Sequence, residues 1–257
     1  MIGAITGYID VAQLTLYAFW IFFFGLILYL RREDKREGYP LKSERKGGVV
    51  VQGFPFLPTP KVFKLHHGGT VLAPRVEAAE TPRIRPAEPW PGAPNVPLGN
   101  PLVDGVGPAA HAMRADVPDM TWDDNMPKII PLRVDPEFSV SYEDPDPRGM
   151  PVYGADRLPA GVVSEVWMDK SEMIVRYLEV ALDVTIAPRS VLVPMTMLQI
   201  DRDLGRIMVR AITAAQFANV PGLSNPDQVT LREEDRIMGY FGGGTLYATP
   251  GRSEPLL

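Results

Sequence analysis

The feature that most constrains this chain is an uncharged run near its start. Val11 to Leu30 reads VAQLTLYAFWIFFFGLILYL, with no charge, no proline, and Gln13 as its most polar member. Twenty residues at about 1.5 Å of rise each make roughly 30 Å of helix, the thickness of a bilayer's hydrocarbon core. A helix buried in a soluble protein rarely lacks a polar face over five turns. A cleaved signal peptide needs a basic leading region and a small-residue cleavage site. Residues 1–10 contain no Lys or Arg, and the run passes straight into Arg31 and Arg32. The segment therefore reads as a retained anchor.

Its flanks orient it. Asp10 is the only charged side chain before the span, whereas Arg31, Arg32, Lys35 and Arg36 follow closely. The excess of positive charge places that end, and everything after it, in the cytoplasm. Tyr8 and Tyr29 stand at interfacial positions. The rings of Phe19, Trp20, Phe22, Phe23 and Phe24 lie deeper, facing lipid or, with Gly25 allowing close approach, other membrane helices.

The segment 31–150 is unlike an autonomous domain. The chain carries 27 prolines, about twice the usual share of roughly 5%, and nine of them fall between Pro74 and Pro108. That density disfavours helix and central strand. One hairpin is expected, Lys61–Leu65 with Thr70–Val76, turning at His66-His67-Gly68-Gly69. Phe54, Phe56, Phe63, Trp90 and Trp122 are too many aromatics for ordinary disorder. The segment reads as an extended strap on a partner's surface, with a loose linker as the alternative.

From about Met150 the texture changes to short strands separated by turn residues: 152–153, 161–168, 173–182, 190–194 and 206–209. In 173–182 both alternating faces are largely apolar, as in a strand covered on two sides. Ala211–Asn219 reads as a short helical or irregular piece. Thr230 followed by Glu233 is a capping box, and the helix it opens is expected to stop at Gly242-Gly243-Gly244. A polar, frayed tail follows. The expected divisions are a periplasmic 1–10, a membrane helix 11–30, a strap 31–150, a mainly-β domain with its helix at 151–248, and a tail at 249–257.

The sequence offers little chemistry. There is no cysteine, so thiolate metal sites, disulfides and cysteine nucleophiles are excluded. The three histidines include His66 and His67, whose side chains would point to opposite faces of a hairpin, a poor metal site. No HExxH, GxSxG or dinucleotide fingerprint occurs, and the glycine run lacks the Lys-Ser/Thr of a phosphate loop. A net charge of −5 without a basic tract gives no sign of nucleic-acid binding. One cluster deserves weighing: Asp169 and Glu172 lie in a turn followed by Arg176. An exposed turn with a surface ion pair is the plain interpretation. A partly buried proton relay is the sharper one. Glu234, in the Glu233-Glu234-Asp235 set opening the capped helix, is a further proton-transfer candidate, with the helix dipole as its plain explanation.

In this order and spacing, several segments resemble the H subunit of the purple-bacterial photosynthetic reaction centre. They are FWIFFFGLILYLRREDKREGYPL in and after the span, VDGVGPAA at 103–110, RYLEV at 176–180, and NPDQVTLREEDRIMGYFGGGTLYA at 225–248. The resemblance implies a single membrane helix plus a mainly-β cytoplasmic PRC-barrel with a C-terminal helix. It implies a non-catalytic subunit in an intracytoplasmic bacterial membrane. Such a subunit caps L and M subunits, which hold bacteriochlorophyll, bacteriopheophytin, quinones and non-haem iron; this chain alone would bind no cofactor. A light-harvesting ring, a cytochrome subunit and membrane lipids are further implied partners. The resemblance favours the relay and implies that Glu172, Asp169 and Arg176 lie on the proton path to the secondary quinone. Some members take up protons through paired histidines shortly before a Lys-Ile. Here that stretch, Trp122 to Ile129, has none, which leaves Asp123 and Asp124 as the expected uptake groups. The alternative from another class is a stand-alone membrane-tethered PRC-barrel adaptor.

Overall fold

The computed structural model describes residues 10–42, 50–66, 68–75 and 81–253. Tyr8, His67, Val76 and the last four residues, on which some expectations rest, lie outside the described residues. The chain divides into two units, one of residues 1–80 with 89–93, the other of 81–88 with 94–257.

The first unit is led by α1, Val11–Glu33, one turn longer than the apolar run because Arg31, Arg32 and Glu33 continue the helix. It is long and apolar enough to cross a membrane, with a mean hydropathy of 2.0 over its most apolar window. Asp10 caps it, accepting the Gln13 amide at 2.8 Å. In its apolar run, Gln13 and Thr15 are satisfied within the helix, as an apolar solvent demands. The Gln13 amide nitrogen donates to the Tyr17 hydroxyl at 2.7 Å, and the Thr15 hydroxyl donates to the Val11 carbonyl. None of its residues is buried. Phe19 and Phe23 stack at 5.7 Å with Trp20 edge-on, forming one aromatic surface.

Beyond α1 the chain forms two small antiparallel pairs, β1 (Leu41–Lys42) with β2 (Val50–Val51), and β3 (Lys61–Lys64) with β4 (Thr70–Ala73). Charged side chains hold this region to the end of α1. Buried Lys35 donates to the carbonyls of Gln52 and Pro55, each at 2.6 Å. Arg36 donates to the carbonyls of Thr59 and Ala73 and pairs with Glu33, which also meets Lys61. Two of the basic residues that follow the span, Lys35 and Arg36, thus form a structural clasp.

Apart from Pro58, the second unit holds every buried apolar side chain among the described residues. A hairpin of β5 (Ile84–Pro86) and β6 (Asn95–Pro97) precedes one helical turn, α2 (Pro101–Asp104). Proline density disfavours helix here. Pro101 sits at the first helical position, where its missing N–H costs nothing, and Asn100 caps the turn. Of the expected strap, residues 94–150 belong to this unit, and Leu102, Ile129 and Leu132 enter its core.

The main sheet comprises β7 (Ile129–Pro131), β8 (Pro151–Tyr153), β9 (Pro159–Asp169), β10 (Ile174–Leu182), β11 (Ser190–Pro194), β12 (Leu198–Asp201) and β13 (Arg206–Val209). Its order is β11-β10-β9-β8-β13-β12, with β7 also on β9. All pairs are antiparallel except β8 with β13. Eleven-residue β9 is the axis: β10 takes one edge, while β8 and β7 divide the other. Two register shifts between β9 and β10 bend the hairpin. They also break the simple alternation expected along 173–182. Tyr177 and Leu178 are both buried, yet Ile174, Val175 and Ala181 are exposed, and Met173 belongs to the turn at φ +55°. The piece at 211–219 contains a 3₁₀ helix, Ala214–Asn219, with its own capping box from Thr213 and Gln216.

The C-terminal helix, α3, runs from Leu231 to Tyr247 and passes through the glycines expected to end it. The glycines are there for contact. A Cβ on Gly243 would lie 2.4 Å from that of Ala109, and one on Gly244 would lie 2.4 Å from the Ala211 carbonyl oxygen. The tail is not frayed at its start either: Arg252 donates to the carbonyls of Ala211, Gly244 and Arg210.

Candidate proton-transfer site

The turn between β9 and β10 organises the candidate site. Asp169, the last residue of β9, is only 2% exposed and pairs across to both Ile174 and Ile129. Its Oδ1 accepts the amides of Ser171 and Glu172 at 2.9 and 3.0 Å, closing the turn. Asp169 is therefore no exposed turn residue. Glu172, by contrast, has a side chain 53% exposed.

Lys128, just before β7, joins them. Its Nζ lies 3.4 Å from Asp169, 3.7 Å from Glu172 and 3.9 Å from Asp119. Burial alone would lower its pKa; the Asp169, Glu172 and Asp119 carboxylates outweigh that and hold the ammonium above its ordinary value. Arg176 lies 4.0 Å from the other side of Glu172, an exposed pair of the kind that contributes little to stability.

Arg176 also lines a cavity of about 270 Å³ with Arg114, Tyr177, Glu234 and Asp235. Tyr177 donates its hydroxyl to Glu234 at 3.0 Å. Burial pushes the Glu234 carboxyl up against the opposing pull of Tyr177, Arg176 and Arg114. Burial and the Glu234 charge together keep the Tyr177 phenol protonated. A carboxylate raised in this way is better matched to proton exchange near neutrality than a solvated one.

Asp123 and Asp124 stand apart from these groups. Asp124 accepts a hydrogen bond from the Thr121 hydroxyl, which, with the Met126 amide and Lys170, holds its pKa below the usual carboxylate value. Lys170 pairs with Asp135 at 2.9 Å and reaches Asp124 at 3.9 Å. Asp123 is exposed. Sequence reasoning missed Lys128, Asp119, Asp135, Tyr177 and Arg114. Each is brought in by tertiary pairing, and no local pattern marks it. Among the described residues, no group of three or more His, Cys, Asp or Glu is arranged to hold a metal ion.

Residues 3–134 match the family described as photosynthetic reaction centre, H-chain N-terminal region, just over half of the chain. The chain belongs to this H-chain family. Residues 140–216 match the PRC-barrel domain. An H chain is a non-catalytic subunit of a reaction-centre complex, and α1 is consistent with its single-pass anchoring. The site draws on both matched regions: Lys128, Asp123 and Asp124 come from the first, and Asp169, Glu172 and Arg176 from the second. Glu234, on α3, lies beyond both.

Proposed function

We propose that this H chain caps the cytoplasmic face of an L/M pigment–quinone core, steadies the quinone sites, and carries part of the proton path to the secondary quinone. The observation that carries this reading is the junction at Lys128, where buried Asp169 and half-exposed Glu172 share one ammonium. Protons move between groups that can hold them in turn. Glu172 is the accessible member, Asp169 and Lys128 fix the field around it, and Arg176 leads from it to the cavity with Glu234 and Tyr177. For uptake from the cytoplasm, Asp123 suits better than Asp124, whose Thr121 and Met126 hydrogen bonds favour the unprotonated form. The proposed divisions follow: a short periplasmic start, the span 11–30, a strap from residue 31 laid on the partner subunits, and the barrel with its helix. Bacteriochlorophyll, bacteriopheophytin, quinones and non-haem iron would then reside on L and M.

In the purified complex, Glu172→Gln should slow proton-coupled electron transfer to the secondary quinone at least about tenfold while leaving the first charge separation untouched. Flash-induced absorbance and proton-uptake kinetics measure both. Unaltered kinetics from about pH 5 to about pH 10 would return Glu172 to the role of a surface pair.

A further inference from the structure

One cavity in the second unit has no place in proton transfer. It measures about 660 Å³ and is lined by Arg157, Arg206, Arg210 and Arg252, with Gln199 and Asp201 among its other walls. Four guanidiniums thus face one carboxylate. Asp201 is already engaged, 3.2 Å from Arg206. Arg210 donates to the neutral Gln199 side chain at 2.8 Å. Arg252 is fixed by three main-chain carbonyls, which orient its charge without neutralising it. Arg157 stands exposed at a corner with φ +62°, and no carboxylate pairs with it among the described residues. Its neighbour Asp156 is turned toward the Ala214 amide.

Converging guanidiniums with spare N–H groups suit the planar, multidentate recognition of phosphate oxygens. The volume exceeds what one tetrahedral anion needs and falls in the range of small-ligand sites. A second cavity, about 430 Å³, shares Gln199, Met208, Arg210 and Arg252 with the first and adds Met197 and Leu198. Charge on one side of the Arg210–Arg252 ridge thus adjoins an apolar surface on the other. We infer that this face of the barrel binds an organic phosphate carrying at least two negative charges, the phosphates among the arginines and the organic part over Met197 and Met208. A soluble nucleotide and a lipid phosphate headgroup share that chemistry.

The test is calorimetric titration of the full chain in phosphatidylcholine nanodiscs with pyrophosphate, ADP, or dihexanoyl phosphatidic acid. Arg157→Asn, which suits a positive φ, should weaken binding about tenfold, and adding Arg210→Gln should weaken it about as much again. Arg202→Gln, outside the cavity and paired with Asp144, should leave binding unchanged. Thermal melts confirm that each variant is folded, and Arg157→Asn alone suffices should the double variant fail. Tighter binding of ADP than of the short-chain lipid supports a soluble ligand; the reverse supports a headgroup. The inference is overturned if none of the three titrants binds, if binding survives both substitutions, or if Arg202→Gln weakens it equally.

Discussion

The two units satisfy their side chains in different ways. The second encloses Trp167, Phe217, Phe241 and Leu178 almost completely and joins strands, 3₁₀ turns and α3 around them. The first buries only Lys35 and Pro58 among its described side chains, and leaves Phe54 and Phe56 more than 70% exposed. After α1 its chain is held by four bonds from Lys35 and Arg36 to main-chain carbonyls. One unit is stabilised by burial of its own apolar surface. The other is held in shape by polar bonds while its apolar side chains stay exposed.

The largest expected effect breaks this comparison if it fails. Phe217→Ala, in the barrel core, should cost about 3–5 kcal/mol of stability in denaturant unfolding of the full chain. Phe56→Ala should cost less than about 0.5 kcal/mol in the same measurement, yet reduce the yield of assembled complex. Equal losses from both would mean that the first unit has a core of its own. A smaller effect sharpens the account of α3. Gly243→Ala gains up to about 1 kcal/mol of helix propensity but drives a methyl into Ala109. A net loss of about 1–3 kcal/mol should follow. Thermal melting decides the sign, and a stabilised variant would show that the helix can shift away.

The smallest effect concerns pH. The Glu234 carboxyl is raised by burial in the folded chain, so the folded state holds its proton more tightly than the unfolded state. Glu234 therefore weakens folding above its folded pKa, and that penalty disappears below its unfolded value of about 4.3. Glu234→Gln should be slightly stabilising at pH 8, by less than about 1 kcal/mol, with the difference vanishing near pH 4. Paired denaturation curves at the two pH values test it. A difference that grows on acidification would mean the carboxylate is favoured by its site.

What was legible in the sequence follows the range of the forces involved. The anchor, the Thr230 capping box and strands β9, β10 and β11 are written in local pattern, and they appear within a few residues of their expected limits. β7 and β12 escaped notice. The first is three residues ending in Pro131, a strand only because β9 offers it an edge. The second follows directly on a 3₁₀ turn that blurs its start. Gly242 to Gly244 misled because glycine has two uses, ending a helix and letting another backbone approach, and only the neighbour's position separates them. For the site, Asp169 and Glu172 stood out as a turn with its following arginine. Lys128, more than 40 residues upstream, and Glu234, more than 60 downstream of Glu172, join them through pairing that leaves no mark on local composition.

The clasp after α1 has an evolutionary consequence. Its acceptors are the main-chain oxygens of Gln52, Pro55, Thr59 and Ala73, which every amino acid supplies. Its donors, Lys35 and Arg36, are side chains that few substitutions replace. Mutational tolerance should therefore be lopsided, with four freely drifting positions answering to two that stay fixed. The chain after α1 can change at those four positions without loosening its hold on the helix.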